Sequence, residues 1–303
     1  MGHAQRRLAT TLGCVSLHQQ STSSPAARET SLLSLHFAVL LLGGIPLFSR
    51  LIPLPTTAIT GYRGVIAVVC LLPIARMFRI PLAIRGRDLA LVLLGGVLFA
   101  LHWWTNFAAI RESSVAVAIA ALYTSPIFTA WIEPLFERRL PSSRALAQAV
   151  AVAFGVWLTA GSAELAGRGV WLGLISAALL ALRNVLQRRF LVAYSGLLIM
   201  LYQSAVTALV FAADAWPHLT ALDTRSTVLL LVLGAGFTAL PHALVTHALR
   251  TLPATRVSLI LALQVLYVTL LGAWVLGETP SLSVCLGAAI IVATAIMAGR
   301  QQS

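Results

Sequence analysis

Residues 94–111 have the sequence LGGVLFALHWWTNFAAIR, and residues 233–250 have the sequence LGAGFTALPHALVTHALR. The two stretches begin 139 positions apart, and in that register both start with Leu-Gly, carry Ala-Leu in the middle and end in Ala-x-Arg. The Pro-Ser pair at 141–142 meets the Pro-Ser pair at 280–281 in the same register without a gap. Matches of leucine are common by chance in an apolar chain, but matches of glycine, arginine and proline are not. The sequence therefore predicts an internal repeat.

The composition is typical of an integral membrane protein. Hydrophobic residues make up 59% of the 303 positions, charged residues only 10%, and the mean hydropathy is +0.90. A soluble domain carries about 25% charged residues. In hydrocarbon every backbone N–H and C=O must be paired within its own segment, which favours helices that each need about 20 apolar residues. These values exclude an ordinary soluble domain and leave no room for a large one.

Glycine, proline and arginine-rich breaks divide the chain into ten apolar stretches. Spans are predicted at 31–50, 57–75, 89–110, 114–136, 144–162, 169–188, 195–214, 227–249, 256–276 and 281–299. Gly43 and Gly44 with Pro46 interrupt the first span, Pro126 interrupts the fourth and Pro241 the eighth. A proline frees a carbonyl that only protein or water can satisfy at membrane depth, so such breaks are typical of a substrate path.

The distribution of arginine predicts how the spans are oriented. All 21 basic residues are arginine, and the formal net charge is +12. With the N-terminus inside, the cytoplasmic side holds Arg6, Arg7, Arg28, Arg76, Arg79, Arg85, Arg87, Arg138, Arg139, Arg144, Arg188, Arg189, Arg250, Arg256 and Arg300. The opposite side holds Arg50, Arg111, Arg168 and Arg225, and Arg63 and Arg183 lie within spans. The excess of basic residues inside places both termini in the cytoplasm.

This topology predicts a multi-pass protein of the bacterial inner membrane, whose dispersed arginines have lipid headgroups as partners and not nucleic acid. Five spans per half force the two copies to insert in opposite orientations. The predicted fold class is therefore an all-α polytopic membrane protein with ten transmembrane helices arranged as two inverted five-helix repeats. Residues 1–30 are predicted to be a disordered cytoplasmic tail, with an over-extended gene start as the alternative, 31–162 the first repeat and 163–303 the second. Inverted repeats are typical of alternating access around a midplane site.

Two stretches resemble a known family. AIRESSVAVAIAALYTSPIFTAWIEPLFERRLP at 109–141 and ALRTLPATRVSLILALQVLYVTLLGAWVLGETP at 248–280 both resemble the signature helix pair of EamA-type carriers of the drug/metabolite transporter superfamily. The resemblance implies a ten-helix carrier, typically an exporter of amino acids or other small metabolites. Arg63 matches the family's arginine of the second span. Leu42, Gly64 and Val265 depart from the family pattern of tryptophan, an aromatic residue and proline, which leaves the substrate open.

Polar side chains near the middle of spans are the predicted substrate contacts, because such groups are costly in hydrocarbon and usually face an interior cavity. The candidates are Arg63, His102, Trp103, Trp104, Asn106, Tyr123, Ser125, His242, Gln264 and Tyr267. The repeat pairs Trp103 with His242 and His102 with Pro241, so the two histidines are expected at matched depth across a shared cavity. The tryptophans can stack on a flat or cationic substrate.

Each of these candidates also has a structural explanation. The tryptophans can simply fill space between helices, and each histidine can be a hydrogen-bonded structural group. Arg63 can meet a substrate carboxylate, or it can snorkel to headgroups or pair with Glu278. Glu133, the one acid clearly inside a span, is expected to pair with Arg138 or Arg139. The small residues that recur in spans five and ten indicate helix packing within one subunit, with a homodimer contact as the alternative.

The function that these features favour is a secondary active transporter, which exports a small metabolite such as an amino acid or drug-like compound by alternating access. The alternatives are an intramembrane enzyme and a non-transporting membrane scaffold. No HExxH, Asp-rich cluster or Gly-x-Ser-x-Gly motif indicates catalysis, and no P-loop indicates an ATP-driven pump. Cys14, Cys70 and Cys285 are widely spaced and form no CxxC. The sequence therefore predicts no catalytic residue, no metal site and no cofactor.

Overall fold

The computed structural model of the protein describes residues 25–160, 167–276 and 281–300, and the secondary structure of these residues is helical without any strand. Most of the predicted N-terminal tail lies outside the described residues. The predicted boundary between the halves and the 277–280 loop also lie outside the described residues. Glu278 is in that loop, so its pairing with Arg63 stays a prediction.

Helices occupy the ten stretches that the sequence predicts, and the pieces of a broken helix are given letters. They are α1a Pro25–Leu42, α1b Ile45–Leu51, α2 Thr56–Met77, α3 Gly86–Glu112, α4a Val115–Leu122, α4b Ser125–Phe136, α5 Ser143–Ala160, α6 Arg168–Phe190, α7a Gly196–Val210, α7b Ala212–Ala215, α8a Thr224–Leu231, the π-helix α8b Val232–Ala239, α8c Leu240–Ala248, α9a Ala254–Leu261, α9b Gln264–Leu276 and α10 Leu282–Arg300. A 3₁₀ turn at Trp216–Ala221 follows α7b.

Six of these helical stretches, among the described residues, are long and apolar enough to cross a membrane alone. They are Glu29–Leu51, Thr56–Met77, Gly86–Glu112, Arg168–Phe190, Thr224–Ala248 and Ala254–Val275. The pair Gly196–Val210 and Ala212–Thr220, bent by 59°, makes a seventh if it counts as one span. The α5 and α10 stretches are shorter apolar helices, and α4 is broken. The chain is thus an α-helical multi-pass membrane protein, and ten spans remain a prediction.

The breaks predicted in α1, α4 and α8 are present, and α7 and α9 are broken as well. Side chains satisfy the backbone at the first two of these breaks. Helix α1 is interrupted after Leu42, and the side chain Nε2 of Gln264 donates to the Leu42 carbonyl at 2.7 Å. Helix α4 breaks just before Pro126, and Thr124 Oγ1 donates to the carbonyl of Ala121 at 2.7 Å. In α8 the π-helix ends at Ala239, two residues before Pro241. Single π-helical turns inside longer helices are frequent at functional sites.

The most extensive contacts between helices form a pattern that is unchanged when the first five helices are exchanged with the last five. Helix α3 packs on α6 as α8 packs on α1, and α2 packs on α8 as α7 packs on α3. Helix α4 packs on α6 as α9 packs on α1, and equivalent helices also contact each other directly, namely α2 with α7, α4 with α9 and α5 with α10. Because the first and second halves make equivalent helix contacts, the structure has the two-repeat architecture that the sequence predicts.

Helices α5 and α10 approach each other closely through glycine. A Cβ atom added to Gly287 would lie 2.3 Å from the carbonyl oxygen of Gly155, so neither position has space for a side chain. Small residues permit such backbone approach between membrane helices. These residues therefore pack inside one chain, as interpreted from the sequence. A homodimer contact elsewhere stays a prediction.

Candidate functional site

A cavity of about 50 Å³ lies between the two halves, where α1, α2, α3, α4, α6, α8 and α9 meet. That volume, the space open to the centre of a water-sized sphere, is several times the roughly 10–15 Å³ that one water needs. Seven of the ten predicted residues line it: Arg63, His102, Trp103, Asn106, Tyr123, His242 and Gln264. The sequence prediction therefore located the cavity, while the role of each residue in binding stays a prediction.

Three predicted residues do not line the cavity. Trp104 is half-buried, because it lies on a different face of α3 from its neighbours at 103 and 106. Tyr267 packs against Gly43, where an added Cβ would come within 2.8 Å of the tyrosine Cβ. Ser125 is fully buried just after the break in α4, and its Oγ has no hydrogen-bond partner among the described residues.

Arg63, on α2, is 1% exposed and lines the cavity. Its Cζ lies 4.1 Å from the ring centroid of Trp103 and 4.8 Å from that of Phe107. Its Nε donates to Thr238 Oγ1 at 3.1 Å, the one hydrogen bond that it makes to the described residues. The side chain is thus enclosed by α3 and α8, and the snorkelling alternative is wrong.

Arg183, on α6, is a second buried arginine on the cavity, also 1% exposed. Its Nε and Nη2 donate to Gln203 Oε1 at 3.0 and 2.6 Å, and its Nη1 donates to Asn184 Oδ1 at 2.9 Å. Nη2 also donates to Thr246 Oγ1 at 3.0 Å, and Cζ lies 4.5 Å from the Phe99 ring centroid. Neutral oxygens therefore hold this cation in place.

The sequence prediction missed Arg183 and Phe99 as cavity residues. Arg183 lies within a predicted span, and the sequence analysis assigns it no partner. The signal that could have found it is the adjacent Asn184, since an arginine beside an amide within an apolar span needs partners from neighbouring helices. Phe99 gives no such signal, because a phenylalanine in a span is ordinary.

Neither buried arginine has a carboxylate partner in the part of the chain that the structure describes. The two ion pairs found there, Arg139 with Glu137 and Arg168 with Glu112, are both at the surface. None of the residues that line the cavity is acidic. An uncompensated buried charge is costly, and contact with aromatic faces offsets only part of that cost. The cavity therefore carries an excess of positive charge.

Trp103 and His242 meet in the middle of the cavity wall. The indole Nε1–H of Trp103 donates to Nε2 of His242 at 3.3 Å, and the ring centroids are 5.1 Å apart. His242 Nδ1 lies 2.9 Å from the carbonyl oxygen of Thr238. A carbonyl only accepts and an indole N–H only donates, so Nδ1 carries the proton and Nε2 is the acceptor. The His242 ring is therefore neutral, and the protein engages both of its nitrogens.

His102 differs from His242 in leaving one nitrogen free. Its Nδ1 lies 3.1 Å from the Ser176 carbonyl oxygen and 2.8 Å from Ser176 Oγ. Ser176 Oγ in turn donates to the His102 carbonyl at 2.9 Å, so Oγ accepts from Nδ1–H. Nε2 has no hydrogen-bond partner among the described residues. Because His102 lines the cavity, its Nε2 can accept a hydrogen bond, or a proton, from a bound molecule.

Two amides complete the polar wall. Tyr123 OH donates to Gln264 Oε1, and the Gln264 amide continues to the freed carbonyl of Leu42, which links α4, α9 and α1. Asn106 lies on α3 one turn beyond His102, and its Oδ1 is buried without a partner among the described residues. An unsatisfied buried acceptor costs free energy unless a ligand or water supplies a donor.

Glu133 has a different role from the one predicted. Its carboxylate accepts hydrogen bonds from the backbone N–H groups of Ala254 and Thr255, each at 2.8 Å, and from the Thr255 hydroxyl. A carboxylate at a helix N-terminus satisfies free N–H groups and complements the helix dipole. Glu133 therefore caps α9a, and the predicted pairing with Arg138 or Arg139 is wrong.

These described residues define a multi-pass helical membrane protein with a polar, positively charged cavity between two equivalent halves. The sequence profile of the EamA-like transporter family matches the chain twice, over residues 30–161 and 167–300. The chain belongs to this family of membrane transporters of the drug/metabolite type, and the resemblance and the repeat seen in the sequence are both confirmed.

A solved structure, described only as "Crystal structure of protein", has the same fold. It superposes with a TM-score of 0.71 at 17% sequence identity, over 91% of this chain and 99% of that chain. At this identity the likeness concerns the fold alone. No curated protein matches the chain at a significant level.

Proposed function

We propose that the protein is a secondary active transporter, which exports a small organic metabolite across the bacterial inner membrane by alternating access through the central cavity. The observation that carries this proposal is the cavity itself. Residues from both halves line it, among them Trp103 and His242, and it holds two buried arginines without a carboxylate partner among the described residues. A transported molecule that supplies the missing partner would account for this arrangement.

Alternating access needs two halves that can rearrange around one site. The exchange symmetry of the packing and the breaks in α1, α4 and α8 support that mechanism. We propose that all ten stretches span the bilayer, with the second repeat inverted and both termini in the cytoplasm. Support comes from the segregation of arginine and from the spans that pass on length and hydropathy.

The proposed partners are the small-molecule substrate and the lipid bilayer. Large apolar side chains that point away from the helix bundle support the lipid contact, for example Trp274 at 84% exposed and Leu33 at 68%. A side chain of this kind is costly in water but not beside lipid. A homodimer through this surface is part of the proposal, and nucleic acid is not.

The competing functions are an intramembrane enzyme and a membrane scaffold without transport. Membership of a transporter family favours transport over both. A scaffold also has no use for a cavity that places two cations in a low-dielectric interior, where they cost stability. The proposal therefore assigns no catalytic residue.

Reconstitution tests the proposal even while the substrate is unidentified. Liposomes containing the purified protein are loaded with an isotope-labelled extract of small bacterial metabolites, and the compounds that leave are identified by mass spectrometry. We expect at least one labelled metabolite to leave faster than from protein-free liposomes. Leu180→Trp, which fills the cavity, should abolish that efflux, whereas the same change at the neighbouring half-buried Leu179 should not. Equal efflux with and without protein would contradict transport.

A further inference from the structure

We propose that the substrate is an organic anion, which carries a carboxylate and a hydroxyl group but no ammonium group, and whose carboxylate Arg63 binds while the charge of Arg183 adds to the attraction. This inference rests on the proposed transport function and specifies the chemistry of its substrate. Four features of the cavity support it: the symmetry of the two arginine sites, their unbalanced charge, the free donors of Arg63, and the neutral acceptors between them.

The two arginines occupy equivalent surroundings. Arg63 contacts the ring of Phe107 on α3 and the hydroxyl of Thr238 on α8. Arg183 contacts the ring of Phe99 on α3 and the hydroxyl of Thr246 on α8.

The repeat offset exchanges these two sets of contacts. Phe107 and Thr246 are 139 positions apart, as are Phe99 and Thr238, and this is the offset that superposes the halves. Exchange of the halves therefore converts the Phe–Thr pair around Arg63 into the Phe–Thr pair around Arg183. The arginines themselves come from non-equivalent helices, α2 and α6. Two different helices thus place the same charged group in the same kind of pocket, one on each side of the Trp103–His242 contact.

The two pockets lie at different positions along α3. Phe99 and Phe107 are eight residues apart on α3, which corresponds to about 12 Å along the helix axis. Arg183 already gives four of its five N–H donors to Gln203, Asn184 and Thr246, so the carboxylate binds at Arg63. Under the proposed topology Arg63 lies toward the outer face and Arg183 toward the cytoplasm.

The charge and the free donors of Arg63 favour an anionic ligand. A guanidinium has five N–H donors, and Arg63 uses one of them on the described protein atoms. Carboxylate is the group whose geometry a guanidinium matches with two parallel hydrogen bonds. The cavity wall that the structure describes supplies no such group. A substrate carboxylate would satisfy donors that the protein leaves open.

The neutral acceptors distinguish a hydroxy acid from an amino acid. His102 Nε2 and Asn106 Oδ1 both accept, and neither has a partner among the described residues. A hydroxyl or an ammonium could donate to them. Two guanidinium groups on the same small cavity repel an ammonium strongly in a low-dielectric interior, and they do not repel a hydroxyl. The site therefore prefers lactate-like molecules to alanine-like ones.

Lactate and L-alanine are a matched pair of probes, because they share a skeleton and a carboxylate and differ in hydroxyl against ammonium. Ligand that binds the folded state raises the thermal midpoint of the purified protein in detergent. At equal ionic strength, kept with chloride, we expect lactate to raise the midpoint more than propionate, propionate more than alanine, and propylamine not at all. Inorganic phosphate serves as the comparison for a phosphate ester.

Variants identify the side chains responsible. Arg63→Gln should weaken lactate binding by about tenfold or more, since it loses charge-assisted hydrogen bonds to the carboxylate, and Arg183→Gln should weaken it less, since it loses only a neighbouring charge. Arg63→Lys keeps the charge and should retain part of the affinity. Arg225→Gln, an exposed arginine assigned to the same side as Arg63, is the matched control and should bind like wild type. The retained binding by Arg63→Lys keeps the test decisive if Arg63→Gln folds poorly.

Several outcomes would overturn the inference: alanine or propylamine stabilising as well as lactate, phosphate stabilising where lactate does not, no carboxylate stabilising at all, or Arg63→Gln binding lactate like wild type. A different result would contradict the proposed transport function. If lactate binds as expected but no labelled metabolite leaves the loaded liposomes, the anion site stands and transport does not.

Discussion

Trp103 and His242 occupy equivalent positions of the two repeats, and they touch each other. The indole of Trp103 donates to His242 Nε2 at 3.3 Å, and the two residues are 139 positions apart. Equivalent residues can be in contact only if the pseudo-twofold axis that relates the halves passes close to both. The pair therefore marks the centre of the molecule, with Arg63 on one side of it and Arg183 on the other.

Loss of the indole donor should destabilise the centre of the protein. In Trp103→Phe, His242 Nε2 becomes a buried acceptor without a donor, which costs about 1–3 kcal/mol. We expect a lower thermal midpoint and reduced transport. Trp104→Phe, on a half-buried neighbour that does not line the cavity, is the control and should change both little. An equal drop in midpoint for the two variants would show that the hydrogen bond is unimportant.

The charge of Arg63 should matter for transport more than its size. Arg63→Lys should retain some transport, and Arg63→Ala should retain very little, at normal membrane abundance measured by immunoblot. The reason is that lysine keeps a cation at the cavity although it loses the planar donor geometry. Normal transport by Arg63→Ala would remove Arg63 from the binding site.

The two histidines should differ in their effect on the pH dependence of transport. An imidazole beside the two arginines can take up a proton once a bound carboxylate offsets their charge, so a histidine-coupled carrier should vary in rate between about pH 5 and 8. His102 has a nitrogen free for that proton, whereas the protein engages both nitrogens of His242.

His102→Gln should therefore flatten the pH profile of transport into liposomes, and His242→Gln should lower the rate without changing the shape of the profile. Transport by the double variant that is full and normally pH-dependent would refute a coupling role for either histidine.

Labelling of single cysteines tests the proposed topology. In a background without Cys14, Cys70 and Cys285, a cysteine at the exposed Pro53 should react in intact cells with an impermeant thiol reagent. A cysteine at the exposed Arg87 should react only after the cells are opened, because the arginine distribution places it in the cytoplasm. The reverse pattern would invert the whole map.

The cap of α9a should contribute to stability. Glu133→Ala leaves the N–H groups of Ala254 and Thr255 without their acceptor, which is expected to cost about 0.5–2 kcal/mol. Glu137→Ala, which removes a carboxylate from a surface pair with Arg139, is the matched control and should cost far less. Thermal unfolding in detergent compares the two, and equal effects would contradict the capping role.

The sequence by itself determined the fold. Apolar stretches of spanning length, the prolines that break them and the offset repeat predict the positions of the helices to within a few residues at most ends. This succeeds because a bilayer imposes one length and one pairing rule on each segment, so local composition is sufficient. Mid-span polarity likewise located most of the cavity, because a polar group in hydrocarbon must face the interior.

Only the tertiary structure decided which polar groups meet. In the structure Arg183 from α6 and Phe99 from α3 line the cavity, whereas Trp104 and Tyr267 do not. Glu133 caps a helix and does not pair with a neighbouring arginine. The tertiary structure also gave the two histidines different hydrogen-bond partners, although the sequence does not distinguish them. The physical reason is that hydropathy fixes the depth of a residue but not its direction around the helix axis. That direction follows from which faces pack together, and packing joins residues far apart in the chain.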